Sequence, residues 1–282
     1  MNKETFIKKR LKEHYKHVES LGYEVVGIFL QGSQNYNLDI YDDEYTSDID
    51  TKCIVLPTLE DLIRGTAMTS KKYDYENEQI DVKDIRVMVD MWKKQNQSYL
   101  EILFTKYYIL NPIYEEYFRP ILEMKNEIVT INIPQMARCI SGMSKEKVNA
   151  LTHEYPSTAE KIRKYGYDPK QLASIIRLSH LCENLFVKNK SFKNSIWYRT
   201  NSDLQKYMID IKKGICDLEE AITLSQYYDE SISRIKDNII DKLGKDDFNS
   251  KIYDKLKDYT YELIKFCIYN YVRQNIDLIK EG

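Results

Sequence analysis

The order of apolar and polar residues predicts that the first third of the chain alternates helices with short strands. Apolar residues recur every three or four positions over residues 3–20, which is typical of an amphipathic helix. Two short apolar runs, at 23–30 and 49–56, are predicted to be buried strands. A third strand is expected at 78–82, where apolar and polar residues alternate, and Asp84 can cap the helix that comes after it.

From Tyr99 onward the pattern is helical almost throughout. Asn111-Pro112 and Arg119-Pro120 interrupt helical runs, so we place a boundary in this region and divide the chain into domains 1–120 and 121–282. The expected fold class is α+β, with a small mixed sheet flanked by helices and then an all-helical C-terminal half. The predicted helices of this region are 98–104, 113–124, 134–151, 156–165, 169–188, 201–213, 217–241 and 249–279.

Composition limits the classes of function. The chain has 282 residues, 43% of them apolar, and a net charge of -2, so it can bury a large core but lacks the basic charge of a bulk nucleic-acid binder. A local basic groove is still allowed. The five cysteines show no metal-binding spacing, which suits a reducing compartment. Without a signal-like start or an apolar run of about 20 residues, we expect a cytoplasmic protein that does not enter the membrane.

A strand that leads directly into a Gly-Ser pair indicates a phosphate-binding turn. Gly32 and Ser33 come after the first predicted strand. Glycine lets backbone amides approach a phosphate closely, and the Ser33 hydroxyl can donate to a phosphate oxygen. A Gly-Ser pair alone is usually an ordinary turn, so its meaning depends on the residues further along the chain.

Two aspartates come after this turn at a spacing suited to metal binding. Asp48 and Asp50 border the second predicted strand, and residues i and i+2 of a strand share a face, with Ile49 turned into the core. Carboxylate oxygens are preferred ligands of Mg²⁺, and two divalent ions can activate a hydroxyl and stabilise a pyrophosphate leaving group. The combination predicts transfer of a nucleoside monophosphate from a nucleoside triphosphate (NTP) such as ATP.

A third carboxylate is expected on the next strand. Asp81 lies on the polar face of 78–82 and is our candidate for binding the catalytic metal and for acting as a general base toward the acceptor hydroxyl. Glu78 and Asp84 are alternatives, although Asp84 suits a helix cap better. Lys83 shares the face of Asp81 and is a candidate phosphate ligand.

These motifs resemble the DNA polymerase β superfamily of nucleotidyltransferases, and within it the RlaP-type (RNA-ligase-adjacent) predicted nucleotidyltransferases. The resemblance implies that Gly32 and Ser33 bind phosphate and that Asp48, Asp50 and Asp81 bind Mg²⁺ or Mn²⁺. It covers roughly residues 25–215. The segments that carry it are Gly32-Ser33-Gln34-Asn35-Tyr36, Ser47-Asp48-Ile49-Asp50, the stretch 96–104, and 165–170 leading to Arg177-Leu178.

The chain departs from that family after the Gly-Ser turn. Asn37 stands where the family commonly has glycine. Asparagine tolerates left-handed backbone, so the turn can be kept. The acidic loop 37–46 is longer than in the family, which affects the expected acceptor more than the expected metal site.

Basic residues of the helical half are candidate ligands for the triphosphate or for an acidic acceptor. Lys170, Arg177, Arg199 and Lys206 stand where the resemblance expects basic residues. Ordinary surface charge on helices is the alternative, which we favour for all of them except Arg177.

Three bulky or charged residues in apolar segments have two interpretations each. Glu101 is interpreted as a structural carboxylate that pairs with a helical arginine, with a substrate contact as the alternative. Trp92 and Trp197 are expected in the core, and base stacking is the less favoured interpretation.

The sequence therefore predicts a metal-dependent nucleotidyltransferase that uses an NTP and a hydroxyl acceptor on RNA, a protein or a small molecule. A nucleotide-binding regulatory or effector module of the antitoxin type, with the same fold and little turnover, is the alternative. The oligomeric state does not follow from the sequence.

Overall fold

The protein folds around a five-stranded mixed sheet. The computed structural model describes residues 3–41 and 47–281. In order across the sheet the strands are β3 (Ser70–Tyr75), β4 (Glu78–Asp84), β2 (Thr51–Leu56), β1 (Glu24–Leu30) and β5 (Tyr108–Leu110). Strands β2 and β4 are parallel, and all other neighbouring pairs are antiparallel. The predicted strands at 23–30, 49–56 and 78–82 are confirmed with small shifts at their ends.

Helices make up most of the remaining described chain. The α-helices are α1 (Lys3–Ser20), α2 (Leu59–Arg64), α3 (Ile85–Lys93), α4 (Gln97–Leu100), α5 (Glu115–Glu123), α6 (Lys125–Ile128), α7 (Ile133–Ala150), α8 (Ala159–Tyr165), α9 (Pro169–Cys182), α10 (Phe192–Ile196), α11 (Asp203–Lys213), α12 (Leu218–Leu243) and α13 (Ser250–Glu281). Two 3-10 turns cover Ser33–Asn35 and Glu101–Phe104, and a π-helical turn covers Glu183–Val187. Within the described ranges, no helix is both long enough and apolar enough to cross a membrane.

The predicted α+β class is confirmed. The long helices α7, α9, α11, α12 and α13 match their predicted ranges to within three residues, once the π-helical turn is counted with α9. The short elements β5 and α10 were not predicted, because three to five residues are too few to show a period.

The side chains of β1 and β2 alternate between two cores. Toward α1 point Cys53 and Val55, which pack with Ile7 and Leu11 of that helix. Ile49 is fully buried in the same core, as predicted.

The opposite face of the sheet packs against the helical half. Ile54 and Phe29 share one core with Phe118 of α5, Ile232 of α12 and Leu263 of α13. Because successive side chains of a strand alternate, residues 50 and 52 also point to this side. The carboxylate of Asp50 is thereby directed toward the helical half. The proposed boundary between residues 120 and 121 stays a prediction.

Candidate active site

A cavity of about 270 Å³ lies between the sheet and the helical half. The N-terminal half contributes Gly32, Ser33, Tyr36, Leu38, Asp48 and Asp50 to its wall. The helical half contributes Lys170, Ala173, Ser174, Arg177 and Lys212. Of the residues predicted to act at the site, the structure therefore brings together Gly32, Ser33, Asp48, Asp50 and Arg177.

The Gly32 backbone has a conformation that only glycine adopts readily. Its φ is 82° and its ψ is -157°, a region that costs other residues about 1–3 kcal/mol. The turn after it is closed by the Tyr36 amide, which donates to the Ser33 carbonyl at 3.1 Å, and by the Asn35 side chain, which donates to the Leu30 carbonyl at 2.6 Å. A Cβ atom at Gly32 would lie 4.0 Å from Asp50 Oδ2, so the turn directly faces this carboxylate.

Asp48 and Asp50 lie in the extended segment just before β2. Asp48 is exposed and Asp50 is half-buried. The Gln79 backbone amide donates to Asp50 Oδ1 at 3.1 Å. Burial raises the pKa of Asp50, and the nearby Asp48 carboxylate adds to the rise, although the Gln79 amide opposes it. A cation between the turn and these carboxylates would stabilise the charged form of Asp50.

Glu78 holds this segment from the other face of the sheet. Its Oε1 accepts from the Ile49 amide at 3.3 Å. Its Oε2 accepts from Arg10 Nε at 2.7 Å and lies 2.9 Å from His14 Nε2. Burial opposes ionisation, but His14 and Arg10 keep the pKa of Glu78 below its ordinary value. Glu78 is therefore a structural carboxylate that positions the peptide between Asp48 and Asp50.

Asp81 and Lys83 lie outside the cavity, contrary to the expected three-carboxylate arrangement. The parallel register pairs Asp81 with Lys52, two residues further along β2 than Asp50. Asp81 forms ion pairs with Lys52 and, at 2.9 Å, with Lys83. Burial disfavours its charge, but these two lysines keep its pKa below the ordinary value. The residue beside Asp50 on β4 is Gln79, which cannot serve as a carboxylate ligand.

Helix α9 supplies one wall of the cavity. Lys170, Ala173, Ser174 and Arg177 are spaced so that they share one face of the helix. The Asp168 side chain caps the helix by accepting from the Lys170 amide at 3.0 Å. Two side chains on this face are cationic and lie opposite the carboxylates. Arg199 and Lys206, for which ordinary surface charge is the favoured interpretation, do not line the cavity, whereas Lys170, for which it is favoured too, does line it.

Lys212 of α11 adds a third cation to the wall. Its Nζ donates to the Leu38 carbonyl at 3.1 Å. Burial lowers the pKa of Lys212 to about 8, and Lys170 contributes to the decrease while Asp39 and Asp48 oppose it. An anion in the cavity would favour the protonated amine.

Arg177 also belongs to a buried network. Its Nη1 donates to Glu101 Oε1 at 2.8 Å, and its guanidinium carbon lies 4.2 Å from the centroid of the Tyr36 ring. The Tyr36 hydroxyl donates to Glu101 Oε2. The predicted pairing of Glu101 with a helical arginine is confirmed. Burial disfavours the charge of Arg177, but Tyr36 and Glu101 raise its pKa. Burial also raises the pKa of Glu101, and the guanidinium and the Tyr36 hydroxyl oppose that rise. The 2.8 Å contact between the two charged groups supports an ion pair that links α9 to the end of the Gly-Ser turn.

Further hydrogen bonds attach the segment after the turn to the helical half. Asn37 has a φ of 63°, which confirms that asparagine takes the left-handed position expected there. Its side chain donates to the Tyr198 carbonyl at 3.0 Å, and its carbonyl accepts from Gln205 Nε2 at 2.6 Å. The predicted loop 37–46 can be followed to Tyr41, since residues 42–46 lie outside the described ranges.

The donor atoms of the cavity suit Mg²⁺, which takes several of its ligands from water and substrate, better than a metal ion whose ligands all come from the protein. Nowhere in the described part of the chain do three or more His, Cys, Asp or Glu side chains form a potential metal cluster. Mg²⁺ commonly uses one or two carboxylates together with waters and substrate phosphates. Asp48 and Asp50, next to the Gly32–Ser33 turn, fit that pattern.

Sequence patterns missed part of the cavity wall. Lys212 follows a helical period like any surface lysine, and nothing in the pattern brings it to Leu38, which lies 174 places earlier in the chain. Ser174 was detectable in principle, because it lies four residues after Lys170 and three before Arg177 on the same helix.

Comparison with known proteins adds little to this geometry. No family model and no curated protein matches the chain. One similar solved structure is the crystal structure of a nucleotidyltransferase-like protein from Exiguobacterium sibiricum 255-15, with 10% sequence identity and a TM-score of 0.28. The match covers 88% of this chain and 77% of that chain. Since similarity at this level carries no argument, the assignment of function rests on the cavity itself.

Proposed function

We propose that this protein is a metal-dependent nucleotidyltransferase that moves a nucleoside monophosphate from an NTP to a hydroxyl acceptor and releases pyrophosphate. The observation that carries the proposal is a single cavity in which a Gly-Ser turn and two carboxylates face three cationic side chains. Phosphoryl-type transfer depends on this kind of positioning and charge stabilisation rather than on covalent participation of the protein.

In this proposal each side of the cavity has a separate role. The Gly32–Ser33 turn and the cationic side chains of Lys170 and Lys212 bind the triphosphate. Asp48 and Asp50 hold Mg²⁺ or Mn²⁺, which when bound would neutralise charge on the phosphates. The acceptor oxygen bonds to the α-phosphorus as the bond to the pyrophosphate oxygen breaks. The proton of the acceptor hydroxyl passes to solvent water, which reaches the exposed Asp48 side.

Arg177 contributes mainly through position. Its Nη1 donates to Glu101 and its Nη2 donates to Gln97 at 3.5 Å, and the planar group covers the Tyr36 ring. A guanidinium fixed in this way loses little conformational freedom when a further donor binds a nucleotide. Its role as a nucleotide ligand stays part of the proposal.

The placement of Asp81 favours a second candidate function. Gln79 occupies the position beside Asp50 where a third carboxylate would be expected. A protein that binds nucleotide and turns over slowly, as a regulatory or antitoxin-like effector module, would retain the cavity without that carboxylate. The two functions predict the same nucleotide binding and different rates of pyrophosphate release.

The acceptor is proposed to be a hydroxyl of an RNA end, a protein side chain or a small molecule. The net charge of -2 disfavours long RNA, because each phosphate contact of a nucleic-acid binder normally needs a cationic partner. A cytoplasmic location is proposed with this function, because NTPs are supplied there.

The test is transfer of label from each α-³²P-labelled NTP in Mg²⁺, with cellular RNA and with a protein lysate as acceptors. The proposal predicts labelled acceptor and stoichiometric pyrophosphate, both abolished in Asp48→Asn and Asp50→Asn. Asp210→Asn, which alters a carboxylate outside the cavity wall, is the matched control and should retain activity. Nucleotide binding without pyrophosphate release from any NTP would favour the second candidate, and absence of nucleotide binding would refute both.

A further inference from the structure

A second cavity of about 220 Å³ lies on the other side of the Gly-Ser turn. Gln34 and Asn35 of the turn line it, whereas Gly32, Ser33 and Tyr36 line the candidate active site. The same short turn thus separates the two cavities.

Trp197 makes this second cavity unusual. The other tryptophan, Trp92, is fully buried in the core, as predicted, but Trp197 is 43% exposed, and the prediction that it lies in the core is wrong. Its neighbours Ile196 and Tyr198 are buried, and the Tyr198 amide donates to the Tyr36 carbonyl at 3.0 Å. The exposed indole is therefore held on a fixed segment beside the turn.

The remaining wall combines aromatic, cationic and amide groups. Phe104 lies in the wall near the indole, and the exposed Lys106 and Lys193 stand at the cavity. The exposed Asn194 offers an amide that can both donate and accept. No carboxylate is among the wall residues in the described part of the chain. Such a wall is complementary to a planar ring joined to negatively charged groups.

We propose that this second cavity binds one unpaired nucleotide of a single-stranded nucleic acid, with the base stacked on Trp197 and the adjoining phosphates near Lys106 and Lys193. Aromatic side chains with nearby cations are the usual platform for unpaired bases. Because one turn lines both cavities, this strand is also the proposed acceptor. That the strand is the acceptor rests on the proposed nucleotidyltransferase function, but its binding does not.

The near-neutral net charge is consistent with so small a site. Two lysines predict that about two phosphates are neutralised, so the logarithm of affinity should fall against the logarithm of salt concentration with a slope of about -1.4 for a single strand. A bulk nucleic-acid binder would show a much steeper slope.

The test is equilibrium binding of fluorescein-labelled 12-nucleotide single strands, one RNA and one DNA, and of the matching duplexes, measured by anisotropy without NTP. We expect single strands to bind more tightly than duplexes and Trp197→Ala to weaken binding about 5- to 150-fold. Lys193→Ala should reduce the salt slope by about 0.7, while Tyr227→Ala, at another exposed aromatic side chain, should change nothing.

Tryptophan fluorescence gives a signature that a merely structural role would not produce. An unlabelled single strand should quench the emission of the wild type, because one of its two tryptophans is stacked by a base. Trp197→Phe should still bind the labelled strand but lose the quenching, since Trp92 is buried.

Two results would overturn the inference. One is the absence of single-strand binding, including the case in which Trp197→Ala abolishes self-association instead. The other is single-strand binding that Trp197→Ala leaves unchanged. Asp210→Asn, which alters a carboxylate outside both cavity walls, should bind the strand normally. Strand binding without pyrophosphate release would refute the transferase proposal alone, and pyrophosphate release without strand binding would refute this inference alone.

Discussion

The ion pair between Arg177 and Glu101 makes a quantitative prediction about the link between the two halves of the protein. The side chains are 13% and 3% exposed, and the two charged atoms lie 2.8 Å apart. At an effective dielectric constant of about 20, opposite charges about 4 Å apart attract by about 4 kcal/mol. Arg177→Met leaves the Glu101 carboxylate buried without its cation, so we expect the free energy of unfolding to fall by about 3–5 kcal/mol.

The double variant Arg177→Met/Glu101→Gln separates this explanation from a simple loss of contacts. Glu101→Gln replaces the carboxylate with a neutral amide whose oxygen can still accept the hydrogen bond from the Tyr36 hydroxyl. We therefore expect the double variant to be more stable than Arg177→Met alone. Urea unfolding followed by circular dichroism measures both values. A single variant that costs less than about 1 kcal/mol, or a double variant that costs the sum of the two single variants, would refute the reasoning.

Three further predictions concern the site. Asp81→Asn should lower the free energy of unfolding by about 3 kcal/mol or more, because buried Lys52 and Lys83 lose their carboxylate. The affinity for nucleotide should stay the same. Unchanged stability together with lost nucleotide binding would instead support the predicted metal-ligand role of Asp81. Nucleotide affinity should fall as the pH rises through about 8, because the pKa of Lys212 is lowered to about 8 and the neutral amine attracts no phosphate. Lys212→Arg should remove this pH dependence in calorimetric titrations at about pH 7 and 9. The same change of affinity with pH in both proteins would contradict the prediction. Gly32→Ala should cost about 1–3 kcal/mol in urea unfolding through backbone strain alone, since the new Cβ has room, and a neutral effect would show that the turn relaxes.

The local part of the site was predictable from the sequence. The Gly-Ser pair, the two aspartates and buried Ile49 are all set by a few neighbouring residues, and the alternation of a strand fixes which side chains share a face. The same rule placed Asp81 on the correct face of β4, where it points to the same side as Asp50.

The parts that local patterns leave open depend on relations between distant segments. Alternation gives the face of Asp81 but not its register against β2, and a difference of two residues in register places it beside Lys52 rather than Asp50. The approach of Lys212 to Leu38 and the exposure of Trp197 follow from helix packing in the other half of the chain. No local pattern encodes these contacts.

The central claim is that one cavity holds the triphosphate between the carboxylates and the cations. A crystal structure with Mg²⁺ and a non-hydrolysable NTP analogue tests it most directly. We expect phosphates at the Gly32–Ser33 turn, a metal ion on Asp48 and Asp50, and Lys170 and Lys212 on the other side of the triphosphate. A triphosphate bound elsewhere, or a metal ion held by Asp81 with its lysine pairs broken, would contradict the claim.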